Sequence, residues 1–143
     1  MSTTPRQPEQ MPAQAAQTEA PKPRATVLLA EDDRSLRRYF EVLLRRAGYE
    51  VLTAADGLEA MKALLSNEVD AVVTDALMPH LSGHQLCRFV RGHPKLKSLP
   101  VVLLSGANAE GRPPAPDEVG ADAYLSKPVP AEELTDCVAR LLA

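Results

Sequence analysis

Polar residues that could do chemistry stand at the ends of four short apolar runs in the sequence. These residues are Asp75, the acidic cluster Glu31-Asp32-Asp33, Ser105 and Lys127. Open α/β sheets bind their ligands at the carboxyl ends of the strands, so we expect these side chains to converge. Carboxylates can hold a hard cation, while a hydroxyl and an ammonium can contact the oxygens of an anionic group. The four runs therefore predict one polar site that combines acids, a hydroxyl and an ammonium.

The elements that must position these residues alternate along the chain from Thr26 onward. Short β-rich runs alternate with longer amphipathic runs, which is typical of a parallel sheet covered by helices on both faces. We predict strands over 27–30, 49–54, 70–74, 100–104 and 123–126. We predict a first helix stopped by Gly48, a second opened by Asp56-Gly57, a third over 83–91 and a last one over 131–142.

Length, charge and composition limit the possible classes of protein. The 143 residues suit one domain of ordinary size with a core, and a net charge of −3 argues against a dedicated nucleic-acid surface. No apolar stretch approaches the roughly 20 residues that span a bilayer, and the N-terminus lacks the apolar segment of a signal peptide. We therefore expect a cytoplasmic protein that does not bind DNA directly. In that compartment Cys87 and Cys137 are expected to be buried or half-buried thiols rather than a disulfide or a metal pair.

Residues 1–24 differ in composition from the rest of the chain. They contain five prolines, four glutamines and no aromatic residue. Such a segment cannot bury enough apolar area to offset the entropy lost on ordering. We predict that 1–24 is a disordered arm and that 25–143 is the folded domain.

The order and spacing of the strand-end residues resemble the receiver domain of two-component response regulators, over essentially all of 25–143. The resemblance rests on Glu31-Asp32, on Asp75-x-x-Met78-Pro79 with Gly83 beyond it, on Ser105 and on Lys127-Pro128. Each feature is weak alone, but the full set is specific. The fold it implies is a flavodoxin-like, doubly wound α/β domain, with a five-stranded parallel sheet of strand order 2-1-3-4-5.

The resemblance implies that Asp75 accepts a phosphoryl group in a two-component phosphorelay. A carboxylate is a poor nucleophile toward a phosphoryl group because both are anionic, so a cation must lie between them. Magnesium suits this task because it prefers oxygen ligands and keeps several waters. The expected direct ligands are Asp32, Asp75 and, from the family, the backbone carbonyl of Leu77, while Glu31 acts through water.

Lys127 and Ser105 are the residues expected to contact the phosphoryl oxygens. In the family the phosphoryl donor is a sensor histidine kinase, a phosphotransfer protein or a small phosphodonor. Signal output to a downstream protein target would follow when Ser105 moves toward the phosphoryl group and Tyr124 turns inward. The alternative for Tyr124 is a strand aromatic that only packs against neighbouring residues. The family also implies a cis peptide bond between Lys127 and Pro128.

The segment between Ser105 and Lys127 departs from the family pattern. Three prolines and Gly111 lie in 106–120, where a fourth helix is expected, and each interior proline costs about 3 kcal/mol in a helix. We predict that this helix is shortened or irregular, with at most a turn that begins at Pro116 and ends at Gly120. The family's usual dimerisation face, which includes this helix, would then be altered.

Other charged residues carry weaker hypotheses. His80, His84 and His93 are expected to be exposed, because no supporting carboxylate or thiolate stands at metal-site spacing. The first helix carries several arginines, namely Arg34, Arg37, Arg38, Arg45 and Arg46. In the family this helix contacts the phosphodonor, but a solvated charged face is the favoured interpretation.

Three functions remain open from the sequence. The leading one is a phosphorylatable receiver that ends at Ala143 and acts as a stand-alone relay through protein contacts, and is not itself an enzyme. The second is a receiver-like module that binds proteins without phosphorylation. The third is an aspartate-nucleophile phosphatase, which usually has an acid two positions after the nucleophile. Leu77 occupies that position and cannot act as a general acid.

Overall fold

The computed structural model describes residues 24–106 and 120–143, and within those ranges the chain forms five strands and four helices. The strands are β1 Thr26–Ala30, β2 Glu50–Ala54, β3 Ala71–Asp75, β4 Val101–Ser105 and β5 Ala123–Ser126. The helices are α1 Arg34–Arg46, α2 Gly57–Ser66, α3 Gly83–Gly92 and α4 Ala131–Leu142. All the strands are parallel in the order β2-β1-β3-β4-β5, which confirms the predicted doubly wound, flavodoxin-like sheet.

The helices cover both faces of the sheet, and each face has its own apolar cluster. Successive strand residues, such as Val72 and Val73 of β3, point to opposite faces. On the first face α1 and α4 bury Phe40, Leu44, Leu134, Cys137 and Val138. On the second face α2 and α3 bury Ala60, Leu64, Leu86, Cys87 and Val90. Both cysteines are buried thiols and not a disulfide, as the sequence predicted.

The helices begin where the local sequence caps them. Asp33, Asp56 and Ser82 precede α1, α2 and α3, and each side chain accepts a hydrogen bond from the backbone N–H three residues further along. The side-chain Oε1 of Gln85 accepts a hydrogen bond from the backbone N–H of Ser82, which completes a capping box. All three caps lie just after the carboxyl ends of strands or in the loops that follow them, so they also fix the loops at that edge of the sheet.

Two strands end one residue later than predicted. Asp75 pairs with Leu104, and Ser105 pairs with Ser126, so each candidate site residue is the last residue of its strand. At the other end, Asp70 lies outside β3 although it was predicted as its first residue. Its carboxylate accepts a hydrogen bond from the backbone N–H of Thr26 at 2.7 Å, and its own N–H donates to the Thr26 carbonyl. Smaller differences of one residue occur at the starts of β1, β2 and β4 and at the end of α3.

Two further predictions lie outside the described residues: the disordered arm, except for Arg24, and the irregular segment between β4 and β5, except for its flanking glycines. Arg91 of α3 contacts the residues that precede β5. Its guanidinium donates to the carbonyl of Gly120 and to the carboxylate of Asp122, both at 2.6 Å. Neither described part of the chain contains a helix long and apolar enough to cross a membrane.

Candidate functional site

Three carboxylates meet at the carboxyl edge of the sheet, as their positions in the sequence predicted. Each of Glu31, Asp32 and Asp75 offers one oxygen, and these oxygens lie within 4.8 Å of one another. Glu31 is fully buried and Asp75 is 7% exposed, whereas Asp32 is exposed. β1 and β3 are neighbouring parallel strands, so the residues that follow or end them are brought together.

Lys127, just beyond β5, reaches this cluster from the other side. Its Nζ lies 2.9 Å from Oε1 of Glu31 and 3.2 Å from Oδ2 of Asp75. Its backbone N–H donates to the carbonyl of Ser105 at 2.7 Å, which ties the lysine to the end of β4. The peptide bond between Lys127 and Pro128 is cis, as the resemblance implied. One ammonium is therefore shared by two carboxylates.

Burial and these contacts shift the pKa of both Glu31 and Lys127. Burial raises the pKa of Glu31, and the hydrogen bonds from Lys127 and from the Asp33 N–H oppose that shift only in part. Burial lowers the pKa of Lys127, but the hydrogen bond to Glu31 and the charges of Asp75 and Glu31 outweigh it, so its pKa is raised. Lys127 is therefore protonated at neutral pH and offsets part of the negative charge.

Both oxygens of Glu31 have protein partners. Oε1 accepts from Lys127, and Oε2 accepts from the backbone N–H of Asp33 at 3.1 Å. Asp33 also caps α1, and this role was not predicted although the position of Asp33 before an amphipathic run signals it. The acids thus differ in environment: Glu31 is bound within the protein, and Asp32 faces solvent.

Ser105 and the loop after β3 complete the site. Ser105 is 6% exposed, and its hydroxyl donates to the carbonyl of Gly106 at 3.1 Å rather than to the acids. The Leu77 side chain is 63% exposed. A Cβ on Gly83 would overlap the carbonyl oxygen of Asp75, and one on Gly57 would overlap that of Leu81. These two close backbone contacts hold the loop that carries the Leu77 carbonyl.

His84 was predicted to be exposed, and that prediction is wrong. The residue is half-buried in the first turn of α3, and its Nε2 lies 3.3 Å from the hydroxyl of Tyr124. Burial and the nearby charge of Arg88 lower the pKa of His84. His93 is also half-buried, while His80 is exposed, with a φ of 71°. No spacing in the sequence signals the His84–Tyr124 contact, since the residues are 40 positions apart.

The donor set fits a magnesium ion. The three oxygens come from carboxylates, which are hard ligands, and the one exposed acid leaves room for the waters that magnesium keeps. Within the described ranges this is the only group of three acidic, histidine or cysteine side chains close enough to hold a metal. Fold and site together define a doubly wound α/β protein with a divalent-cation site at the carboxyl edge of its sheet.

Comparisons with known proteins identify the family. The response regulator receiver domain family matches residues 27–139, so the chain belongs to that family. Protein PilG from Pseudomonas aeruginosa is 34% identical over 117 residues, which cover 78% of this chain and 83% of PilG. The acidic cluster of Glu31, Asp32 and Asp75 fits the phosphoacceptor site of this two-component family.

Solved relatives support the metal assignment. The receiver domain of a Pseudomonas aeruginosa sensor histidine kinase, with magnesium coordinated in its active site cleft, is 29% identical, with a TM-score of 0.74 over 84% of this chain and 98% of that one. The response regulator TrrA from Thermotoga maritima, in complex with Mg²⁺–BeF, is 31% identical, with a TM-score of 0.72 over 82% and 99% of the two chains. The chain spans about half the length of another curated relative, the transcriptional regulatory protein GltR, at 48%.

Proposed function

We propose that Asp75 is the phosphoacceptor of this receiver domain. The observation that carries the proposal is the position of its carboxylate, 3.2 Å from the ammonium of Lys127 and within 4.8 Å of the other two acids. An oxygen of Asp75 forms the new O–P bond while the bond from phosphorus to the donor breaks and the donor keeps that electron pair. With a phosphohistidine donor the leaving atom is an imidazole nitrogen.

The neighbouring residues would bind magnesium and contact the phosphoryl group. Asp32, Asp75 and the carbonyl of Leu77 would hold Mg²⁺, and Glu31 would contact it through water while keeping Lys127 in place. Bound magnesium neutralises the charge between the carboxylate and the incoming phosphoryl group. Lys127 can pair with a phosphoryl oxygen from its present position, since its Nζ already contacts Asp75.

Ser105 would exchange its present partner for the phosphoryl group. Its hydroxyl now donates to the carbonyl of Gly106, so it must rotate to donate to a phosphoryl oxygen. The Tyr124 hydroxyl lies near His84 at 3.3 Å, and inward movement of the ring would give up that contact. Ser105 and Tyr124 would in this way convert phosphorylation into a changed surface near β4 and β5 that a downstream protein reads.

The phosphodonor is proposed to be a sensor histidine kinase or a phosphotransfer protein. An apolar pocket of about 370 Å³ lies beside Lys127, between α1 and the loop that precedes α4. Its lining includes Tyr39, which is 48% exposed, together with Phe40 and Pro128. A donor domain seated there would bring its phosphohistidine next to Asp75. The cytoplasmic location expected from the sequence stays a prediction.

The test is intact-protein mass spectrometry of the full chain after incubation with magnesium and acetyl phosphate. We expect the parent to gain one phosphoryl group and the Asp75→Asn variant to gain none, because an amide cannot form the acyl phosphate. Omitting magnesium should abolish the gain in the parent. Equal gain in both proteins would place the acceptor elsewhere. No gain in either, even with phosphorylated donor proteins, would favour the phosphorylation-independent interaction module.

In this role the chain accepts a group and passes on a signal, and it is not an enzyme acting on an external substrate. A phosphatase that uses an aspartate nucleophile also needs a group to protonate the leaving oxygen. Leu77, two positions after Asp75, is apolar and 63% exposed, so it offers no acid.

A further inference from the structure

Arg37 differs from the solvated arginines that the sequence predicted along α1. It is half-buried, and its Nη1 donates to the backbone carbonyl oxygen of Glu31 at 2.9 Å. Arg38, the next residue, is instead exposed and pairs with Glu41 at 3.3 Å. The guanidinium of Arg37 is thus directed at the backbone of the loop that carries Glu31 and Asp32.

The two peptide groups that flank Asp32 are both held. The Glu31 carbonyl belongs to the peptide before Asp32, and it is held by Arg37. The Asp33 N–H belongs to the peptide after Asp32, and it is held by the Glu31 carboxylate at 3.1 Å. The N–H of Glu31 in turn donates to the carbonyl of Ala54 on β2 at 3.0 Å. Asp32 itself is exposed, and these backbone contacts fix the direction of its Cα–Cβ bond.

We propose that Arg37 is a positioning residue that orients Asp32 for magnesium. The inference rests on the proposed role of Asp32 as a metal ligand. Magnesium demands near-octahedral geometry, so a ligand fixed in advance binds it with less loss of conformational freedom. Without Arg37 the peptide before Asp32 loses a charge-assisted hydrogen bond and can rotate, and the carboxylate then samples directions that miss the ion.

The direction in which magnesium affinity changes when Arg37 is replaced distinguishes this positioning role from a purely electrostatic one. A cation close to a dication disfavours its binding, so removing the charge of Arg37 should by itself tighten magnesium binding. Loss of orientation should weaken binding. A merely structural role of Arg37 would lower stability and leave the affinity of the folded protein unchanged.

The test is a magnesium titration of the ¹⁵N-labelled full chain by NMR. The amide chemical shifts of residues 31–33 and 75–77 report the binding. We expect the Arg37→Met variant to bind magnesium about tenfold more weakly than the parent, the lower range seen for groups that orient metal ligands. Arg38→Met is the matched control, because it removes the same charge from the same helix without touching the Glu31 carbonyl. It should bind magnesium as tightly as the parent or slightly more tightly.

The same spectra distinguish the outcomes. Parent-like or tighter binding by folded Arg37→Met would overturn the inference while leaving the proposed function intact. Absence of binding by the parent would instead refute the magnesium site, and the inference with it. If Arg37→Met gives the spectrum of an unfolded chain, Arg37→Gln replaces it, since glutamine keeps a polar side chain on α1 but its amide nitrogen lies two bonds closer to the backbone than the Nη1 that contacts the Glu31 carbonyl. Weaker binding by Arg37→Gln would support the inference, and unchanged or tighter binding would overturn it.

Discussion

Lys127 offsets part of the negative charge of the three carboxylates in the site. Glu31, Asp32 and Asp75 place three carboxylates within a few ångströms, and Glu31 is completely buried. Like charges at this spacing repel, and a buried carboxylate that lacks a partner is costly. Lys127 contacts both Glu31 and Asp75, so the cluster tolerates its negative charge before any metal binds. The residue thus serves the fold as well as the chemistry.

Lys127→Met should therefore destabilise the metal-free protein. The Glu31 carboxylate would lose its cation at 2.9 Å, and breaking a buried pair costs about 3 kcal/mol. Urea unfolding in the presence of a chelator would measure this loss. The double variant Glu31→Gln/Lys127→Met should recover most of it, because the buried charge is then gone. If the single and double variants were equally unstable, the ion pair would not be the cause.

The same substitution should separate metal binding from phosphoryl acceptance. Removing a positive charge from the cluster favours binding of a dication, so Lys127→Met should hold magnesium at least as tightly as the parent. Yet it should accept a phosphoryl group from acetyl phosphate more slowly, because no ammonium faces the phosphoryl oxygens.

At the scale of elements, sequence predicted most of what positions the site. The limits of β5 and α4 match the predicted ones, because both segments are bounded by strong local signals such as Pro130 before the acidic first turn of α4. Asp75 and Ser105 were placed just beyond their strands. Whether a residue is the last of its strand depends on whether it pairs with a residue of the next strand. Asp75 pairs with Leu104 and Ser105 pairs with Ser126, and no local sequence pattern predicts those pairings.

Contacts between distant elements were not predictable in the same way. Arg37 and His84 each stand in a helix with a polar or charged face, and both were assigned to the surface. Each side chain instead contacts a group in another part of the fold. Arg37 contacts the Glu31 carbonyl, and His84 contacts the Tyr124 hydroxyl. Such contacts depend on how α1 and α3 pack on the sheet, which sequence periodicity does not specify.

The half-buried His84 of α3 should make stability depend on pH. Burial and Arg88 lower the pKa of His84 in the folded protein below its ordinary 6.5, so the folded state resists protonation more than the unfolded state does. The stability contribution of neutral His84 is complete above pH 6.5 and is lost as the pH falls through the folded-state pKa. Acidification from about pH 7.5 to about pH 5.5 should therefore lower the free energy of unfolding.

Two variants isolate that dependence. His84→Gln should lose less stability than the parent over the same pH range, since glutamine does not titrate. His80→Gln is the control on the same side of the fold, because His80 is exposed. It should keep the pH dependence of the parent. Chemical unfolding at a series of pH values provides the measurement, and identical slopes for the parent and His84→Gln would rule out His84 as the source.

At the scale of the whole molecule, the site draws residues from four parts of the chain. Asp32 follows β1, Asp75 ends β3, Ser105 ends β4 and Lys127 follows β5. Global unfolding separates these segments, so the unfolded chain does not hold the magnesium ligands close together. A ligand that binds only the folded form stabilises the entire domain through mass action. Magnesium binding should therefore appear as a shift of the global unfolding transition.

Magnesium at tenfold its dissociation constant should raise the stability of the parent by about 1.4 kcal/mol, which corresponds to roughly 5 °C in Tm for a domain of this size. Thermal unfolding followed by circular dichroism, with chelator and then with magnesium, measures the change. Asp32→Asn/Asp75→Asn should show little shift, because two of the three carboxylates are gone. Sodium chloride at matched ionic strength controls for screening of the net negative charge of the chain. A rise of equal size in salt alone or in the double variant would mean that general charge screening, and not a built metal site, stabilises the fold.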